Sequence, residues 1–133
     1  MKGFSNFTAA LFGKKKERDP APQDPVIRFW DGDEPPWTVV LTDTLEPGRC
    51  FRHEIGASLL IGFSSEMDIS VNYDKSVSRK HCELFREGDL LYITSHSRSN
   101  GTYLNRVLVL DRTPISPGDV ITMGRVELRL DIE

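Results

Sequence analysis

Short apolar runs separated by turn-forming residues make up the chain from Val26 onward. The runs read VIRFW, WTVVLT, CFRHEI, SLLIG, DISV, CELF, LLYIT, GTYLN, VLVL, DVITMG and VELRLDI. Proline, glycine, asparagine and aspartate, which favour tight turns, lie at many of the breaks between them. No stretch after residue 25 keeps a helical period, whereas runs of this length and composition are typical of β-strands. The pattern therefore predicts about eleven strands.

These strands are expected to form an antiparallel β-sandwich. The connections are too short for the helical crossovers that join parallel strands, and hairpin signals such as Asn100-Gly101 recur along the chain. Two packed sheets would bury the apolar faces of the strands. The loops would then gather at the two ends of the sandwich, where binding sites are usually found.

The first 25 residues have a different pattern. Apolar residues recur there at helical spacing before the cationic run KKK and a proline-rich stretch, namely Phe4, Phe7, Leu11 and Phe12. Two interpretations stay open: an amphipathic helix that makes weak contact with an anionic membrane surface or follows a membrane span, and a tail without fixed structure. We therefore assign residues 1–25 to a tail or linker and residues 26–133 to one folded domain.

Composition limits the classes of function. With 133 residues, 38% of them hydrophobic, the chain can build one domain, and its net charge of −3 argues against general nucleic-acid binding. Its two cysteines, Cys50 and Cys82, form no CxxC pair, so we expect reduced thiols in the cytoplasm, with no disulfide framework and no metal or other cofactor. No apolar run approaches the ~20 residues of a membrane span, and no signal peptide is visible.

Two polar segments carry the candidate chemistry. VSRKHCELF places Ser78, Arg79 and a histidine in a loop that leads into a strand, and SHSRSNGTYLN places Ser99 and Asn100 in another. Hydroxyl groups, amides and a guanidinium on two loop ends are the donors that a phosphate dianion requires. Taken singly, each residue has a simpler explanation, because Asn-Gly favours turns and the serine and the cations could belong to a solvated loop.

The combined pattern resembles the forkhead-associated (FHA) domain family from about residue 37 to residue 132. The resemblance rests on the order and spacing of LLIG, DISV, VSRKHCEL, RSNGTYLN and ISPGDVITMGRVELRL. It implies an eleven-stranded β-sandwich that binds phosphothreonine peptides through loops at one end. The chain would then be a signalling module that recruits proteins phosphorylated by a serine/threonine kinase.

The resemblance also implies roles for individual residues. Ser78 would donate its hydroxyl to the phosphate, Arg79 would add a charge-assisted hydrogen bond, and Ser99 would supply a second hydroxyl. Asn100 would bond the peptide backbone beside the phosphothreonine. Three further residues would support the site without contacting the ligand, namely Gly62, His81 and Gly101.

Two positions depart from the family pattern. Phe63 stands where most members have an arginine that contacts the phosphopeptide, and the loss of that bond would weaken binding. Arg98 or Lys75 could compensate for the missing guanidinium. Arg106 replaces a common glycine, and we expect it to lie away from the pocket and affect only a turn.

Two alternative functions stay open at this stage. The first is an FHA fold that no longer depends on phosphate and binds a protein through another surface, with Phe63 as an apolar contact. The second is an enzyme with Ser78 as nucleophile and His81 as base. The sequence disfavours the enzyme, because it shows no third orienting group and no G-x-S-x-G motif. We therefore predict no catalytic residues.

Overall fold

The computed structural model describes residues 35–133, which form eleven strands. The strands are β1 (Trp37–Asp43), β2 (Cys50–Ile55), β3 (Ser58–Gly62), β4 (Ile69–Ser70), β5 (Cys82–Glu87), β6 (Leu90–Ser95), β7 (Thr102–Leu104), β8 (Val107–Leu108), β9 (Thr113–Pro114), β10 (Val120–Met123) and β11 (Val126–Ile132). The predicted tail at residues 1–25 and the predicted strand at 26–30 lie outside the described residues. The short strand β9 was not among the sequence predictions.

The strands form two sheets. One has the order β9-β6-β5-β3-β4, and the other has the order β2-β1-β11-β10-β7-β8. Every pairing is antiparallel except that of β3 with β4, which run parallel with Ile61 opposite Ile69. The predicted all-β sandwich is therefore confirmed, with one parallel edge pair added.

The core lies between the two sheets. Strand β5 shows the underlying pattern, because its residues alternate between buried and partly buried positions along the whole strand. Alternating residues of facing strands meet in the middle, where they lose contact with water. The fully buried members include Val39, Leu41, Ile61, Leu84, Ile93, Ile121, Leu128 and Leu130.

The hairpin between β7 and β8 turns through Asn105 and Arg106. Both residues have positive φ, 50° and 72°, as a two-residue type I′ turn requires. The Asn105 side chain is held on both sides, since its Nδ2 donates to Asp119 at 3.1 Å and its Oδ1 accepts from the Val120 amide at 2.9 Å. Arg106 lies in this turn and is exposed.

Four connections come together at one end of the sandwich. They follow β3, precede β5, join β6 to β7 and join β10 to β11. Backbone hydrogen bonds tie the first two together, because the Phe63 amide donates to the Ser78 carbonyl at 2.9 Å and the Ser64 amide donates to the Arg79 carbonyl at 3.1 Å. This end of the molecule carries the residues that the sequence analysis selected.

Candidate functional site

Two serine hydroxyls face each other at this end of the sandwich. Ser78 lies shortly before β5 and Ser97 shortly after β6, and their Oγ atoms are 2.8 Å apart. The two strands pair antiparallel with Cys82 opposite Ser95, so the residues before one strand and after the other emerge at the same end. Two hydroxyls at this separation can donate to neighbouring oxygens of one anion.

His81 fixes the loops on either side of this pair. Its ring is fully buried, its Nδ1 accepts from the Ser78 amide at 2.9 Å, and its Nε2 donates to the Gly101 carbonyl at 2.7 Å. Burial lowers the pKa of His81, and the hydrogen bond to Gly101 opposes that shift only in part. The neutral ring therefore acts as a brace between the two candidate segments.

The bonding of His81 bears on the enzyme alternative. A general base for Ser78 would need a free ring nitrogen aimed at the hydroxyl. Both ring nitrogens of His81 instead bond backbone groups, and the nitrogen nearer to Ser78 accepts from its amide. This arrangement gives the Ser78 hydroxyl no proton acceptor at His81.

Gly62 is required by close contact with the loop that carries Arg79. A Cβ atom at position 62 would lie 2.1 Å from the Arg79 carbonyl oxygen, which is far inside van der Waals contact. Gly101 is required for a different reason, because its φ of +71° lies in the left-handed region. Both glycines therefore support the site through the backbone, one by its small size and one by its conformation.

Asn100 projects toward the loop before β5. Its Nδ2 donates to the Ser76 carbonyl at 2.7 Å, and its amide forms a longer hydrogen bond of 3.4 Å to the Ser97 Oγ. Ser99 is exposed, and its hydroxyl bonds no other residue of the region 35–133. The structure thus places Ser97 opposite Ser78, and the role of Ser99 stays a prediction.

Four exposed cations surround these groups: Arg79 and Lys80 before β5, Lys75 earlier in the same connection, and Arg98 between Ser97 and Ser99. None of the four forms an ion pair with any residue between 35 and 133. Most other cations between residues 35 and 133 already have a partner. Arg86 packs on the Trp37 ring. Five arginines lie beside carboxylates, namely Arg49, Arg52, Arg112, Arg125 and Arg129. Among residues 35–133, cations without a carboxylate partner are therefore concentrated at this end.

Phe63 is partly buried and packs against the hydrophobic core. Its backbone amide donates to the Ser78 carbonyl and so joins the connection after β3 to the Ser78 loop, while its side chain offers no donor to an anion. Any guanidinium at the site must therefore come from another residue. Arg79 and Arg98 lie on the two candidate loops, and both are exposed.

A buried aspartate anchors the start of the connection to β5. Asp43 accepts from the Tyr73 hydroxyl at 2.7 Å and from the amides of Leu45 and Glu46 at 2.8 and 3.0 Å. Burial alone would raise the pKa of Asp43, but these hydrogen bonds outweigh it and the pKa is lowered. The pKa of Tyr73 rises to about 12, first because of burial and then because of its bond to Asp43. Asp43 therefore stays charged and holds Tyr73 at the base of the loop.

Two other kinds of feature are absent from residues 35–133. In the part of the chain that the structure covers, no three histidine, cysteine, aspartate or glutamate side chains are grouped so as to hold a metal ion. No helix among residues 35–133 is long and apolar enough to cross a membrane.

Comparisons with known proteins identify the type of domain. The family model described as FHA domain matches residues 55–124. Protein FraH from Nostoc sp. is 43% identical over 54 residues, which cover 39% of this chain and 19% of FraH. The chain therefore corresponds to only a small part of that relative.

Solved structures show the same fold. An FHA domain studied for phosphothreonine-dependent interactions is 25% identical with a TM-score of 0.63, and the match covers 72% of this chain and 97% of that one. The FHA domain of FhaA, solved with the intracellular domain of another protein, is 26% identical with a TM-score of 0.60, over 69% of this chain and 98% of that one. The N-terminal FHA domain of Rad53p from S. cerevisiae is 21% identical with a TM-score of 0.61, and the match covers 72% of this chain and 94% of that one. At this identity it shows the fold alone.

Proposed function

The chain belongs to the FHA domain family, and we propose that the loop end around Ser78 binds a phosphothreonine in a partner protein. One observation carries this proposal: the hydroxyls of Ser78 and Ser97 lie 2.8 Å apart on loops whose cations have no carboxylate partner between residues 35 and 133. A phosphate dianion supplies the negative charge and the acceptor oxygens that this arrangement lacks. The work on a 25% identical FHA domain concerns phosphothreonine-dependent interactions, which supports the same ligand here.

Each residue of the site has a distinct role in this proposal. Ser78 and Ser97 donate hydroxyl hydrogen bonds to phosphate oxygens, and Arg79 adds a charge-assisted bond. Asn100 bonds the backbone of the peptide beside the phosphothreonine. Ser99 and Arg98 lie in the same loop and contact the phosphate or the flanking peptide, while Gly62, His81 and Gly101 hold the loops in place.

We further propose that Phe63 makes this a weak phosphate binder. The missing bond from a charged donor is worth roughly 1.5–3 kcal/mol, which corresponds to about a tenfold to hundredfold loss of affinity. The module would then rely on a high local concentration of its partner, a protein phosphorylated by a serine/threonine kinase. The FhaA domain that was solved with an intracellular protein domain supports recruitment of a protein as the task.

Phe63 also favours a second candidate function. If the lost arginine has abolished phosphate recognition, the domain binds a protein independently of phosphorylation. The same loops would then serve only to stabilise the fold, and the partner would be bound through another surface of the domain.

Titration of matched peptide libraries separates the two functions. A library with a fixed phosphothreonine is expected to bind, whereas the unphosphorylated library is not. Ser78→Ala and Asn100→Ala are each expected to weaken binding by more than 1 kcal/mol, with nearly unchanged melting temperature. Ser116→Ala is the matched control, because Ser116 is an exposed serine at the other end of the sandwich. Equal affinity for both libraries would reject phosphate recognition.

A further inference from the structure

Ser76 lies two residues before Ser78, and its polar groups contact three separate segments. Its hydroxyl donates to Asp74 Oδ1 at 2.7 Å and accepts from the Arg125 amide at 2.8 Å, which ties the loop to the β10–β11 turn. Its carbonyl accepts from Asn100 Nδ2 at 2.7 Å. One small residue therefore joins the loop that carries Ser78, the β10–β11 turn and the loop that carries Asn100.

The β10–β11 turn approaches Ser76 closely at Gly124. A Cβ at position 124 would lie 2.3 Å from the Ser76 Oγ and 2.6 Å from its carbonyl oxygen, and the φ of Gly124 is +61°. The turn and the loop thus meet without free space between them. The position of the Ser76 carbonyl is fixed by this contact and by the two hydrogen bonds of the hydroxyl.

The fixed carbonyl determines how the side chain of Asn100 is oriented. An asparagine amide has one acceptor oxygen and two N–H donors, and its hydrogen-bond partners decide which way it points. Because Nδ2 of Asn100 donates to Ser76, Oδ1 points the other way and one N–H group stays available. A donor and an acceptor presented together match the C=O and N–H groups of a peptide backbone.

We propose that Ser76 is the positioning residue of the phosphopeptide site. It anchors the backbone that orients Asn100 and fixes the entry to Ser78, and it does so without touching the phosphate. This inference rests on the proposed function, and it adds a residue outside the ligand contacts that sets affinity. A site whose donors are held in place before binding loses less conformational freedom when the peptide arrives.

The ion pair beside Ser76 is not the anchor. Arg125 Nη2 lies 3.1 Å from Asp74 Oδ1, but the arginine side chain is 77% exposed, and exposed pairs contribute little. The pKa of Asp74 falls to about 2, first because of the Ser76 hydroxyl, then the Ser76 amide and only then Arg125. Both the hydroxyl of Ser76 and the guanidinium of Arg125 join the turn to the loop, and we expect the hydroxyl to contribute more.

The test compares Ser76→Ala with Arg125→Ala by titration with one phosphothreonine peptide selected from the library. Ser76→Ala is expected to weaken binding about tenfold, and Arg125→Ala, which keeps the backbone N–H, less than about twofold. In an Asn100→Ala background, Ser76→Ala should have less than half of that effect in free-energy terms, because the group that it positions is absent. Equal effects of Ser76→Ala in both backgrounds, or no effect in either, would overturn the proposal.

A second readout needs no ligand. The side-chain NH2 signals of Asn100 in an NMR spectrum of the free domain are expected to move toward each other in Ser76→Ala, because the amide is released from its fixed orientation. Unchanged signals reject the positioning role even if peptide binding is present. A wild-type domain that binds no phosphopeptide would instead reject the proposed function, so the two failures are distinguishable. If Ser76→Ala does not fold, Asp74→Ala removes the acceptor of the same hydroxyl and is read in the same way.

Discussion

In the proposed function, Phe63 determines how strongly the domain holds a phosphate. Its ring packs against the core instead of offering a donor, while its backbone amide keeps the Ser78 loop in place. An arginine at this position would combine the backbone hydrogen bond to the Ser78 loop with a charged side-chain donor, whereas Phe63 provides only the backbone hydrogen bond. It retains the scaffold of the site and removes one charged contact from it.

Replacing Phe63 with arginine tests this separation. Phe63→Arg is expected to strengthen phosphopeptide binding by about tenfold or more, because it restores a charged donor. It should also lower the melting temperature, since the ring leaves the core. Phe63→Leu is the control and should leave affinity unchanged. An arginine variant that folds and shows no gain in affinity would indicate that the pocket no longer receives a phosphate.

His81 makes stability depend on pH. Because folding lowers its pKa, the folded domain binds fewer protons than the unfolded chain, so the contribution of the neutral ring is complete above about pH 6.5. It is lost as the pH falls through the folded pKa, by at most about 1.4 kcal/mol per pH unit. Urea unfolding between about pH 8 and pH 5 should show this loss, and His81→Gln should reduce it. If the unfolding free energy of the variant falls with pH as steeply as that of the wild type, the pH dependence comes from other groups.

Among the elements, the β7–β8 hairpin carries avoidable strain. Arg106 has a φ of 72°, a conformation that is unfavourable for a residue with a Cβ. Its turn lies at the opposite end of β7 from Gly101, so changes there should not reach the loops that hold Asn100. The hairpin therefore offers a variant that alters stability without altering binding.

Arg106→Gly is expected to stabilise the domain by about 1 kcal/mol, which corresponds to a rise in melting temperature of about 4–8 °C. Phosphopeptide affinity should not change. Thermal unfolding and titration of the same sample check both statements. A fall in melting temperature would show that the arginine side chain contributes more than its backbone strain costs, and a change in affinity would contradict the separation of this turn from the site.

The sequence predicted the strands more fully than the site. Alternation and turn residues identified most strands, but they do not show that the short β4 pairs parallel with β3, and the two-residue strand β9 is too short to carry a pattern. Ser97 was missed for a local reason. The amides of both His96 and Ser97 donate to the His81 carbonyl, so the β5–β6 ladder ends irregularly and Ser97, not Ser99, meets Ser78. No pattern in the sequence shows where a ladder stops.

For the whole molecule, the electrostatics are local. The net charge is −3, yet cations without carboxylate partners in the described region gather around Ser78 and Asn100. An anionic ligand is therefore attracted by one end of the sandwich and not by the overall charge. Charge on the ligand should matter as much as shape.

Binding should accordingly weaken below about pH 6, where the phosphate takes up its second proton, and also as salt increases. Peptides that carry glutamate in place of phosphothreonine should bind far less well at any pH, because one carboxylate has fewer acceptors and less charge. Calorimetric titrations across pH and ionic strength measure both dependences. Affinity that is indifferent to both would favour the phosphate-independent alternative.

The most direct measurement is an NMR titration of the isotopically labelled chain with a phosphothreonine peptide and with its unphosphorylated form. The account predicts saturable shifts of the backbone amides of Ser78, Arg79, Ser97 and Asn100 with the phosphorylated peptide alone. Shifts confined to another face of the sandwich, or identical shifts with both peptides, would contradict it.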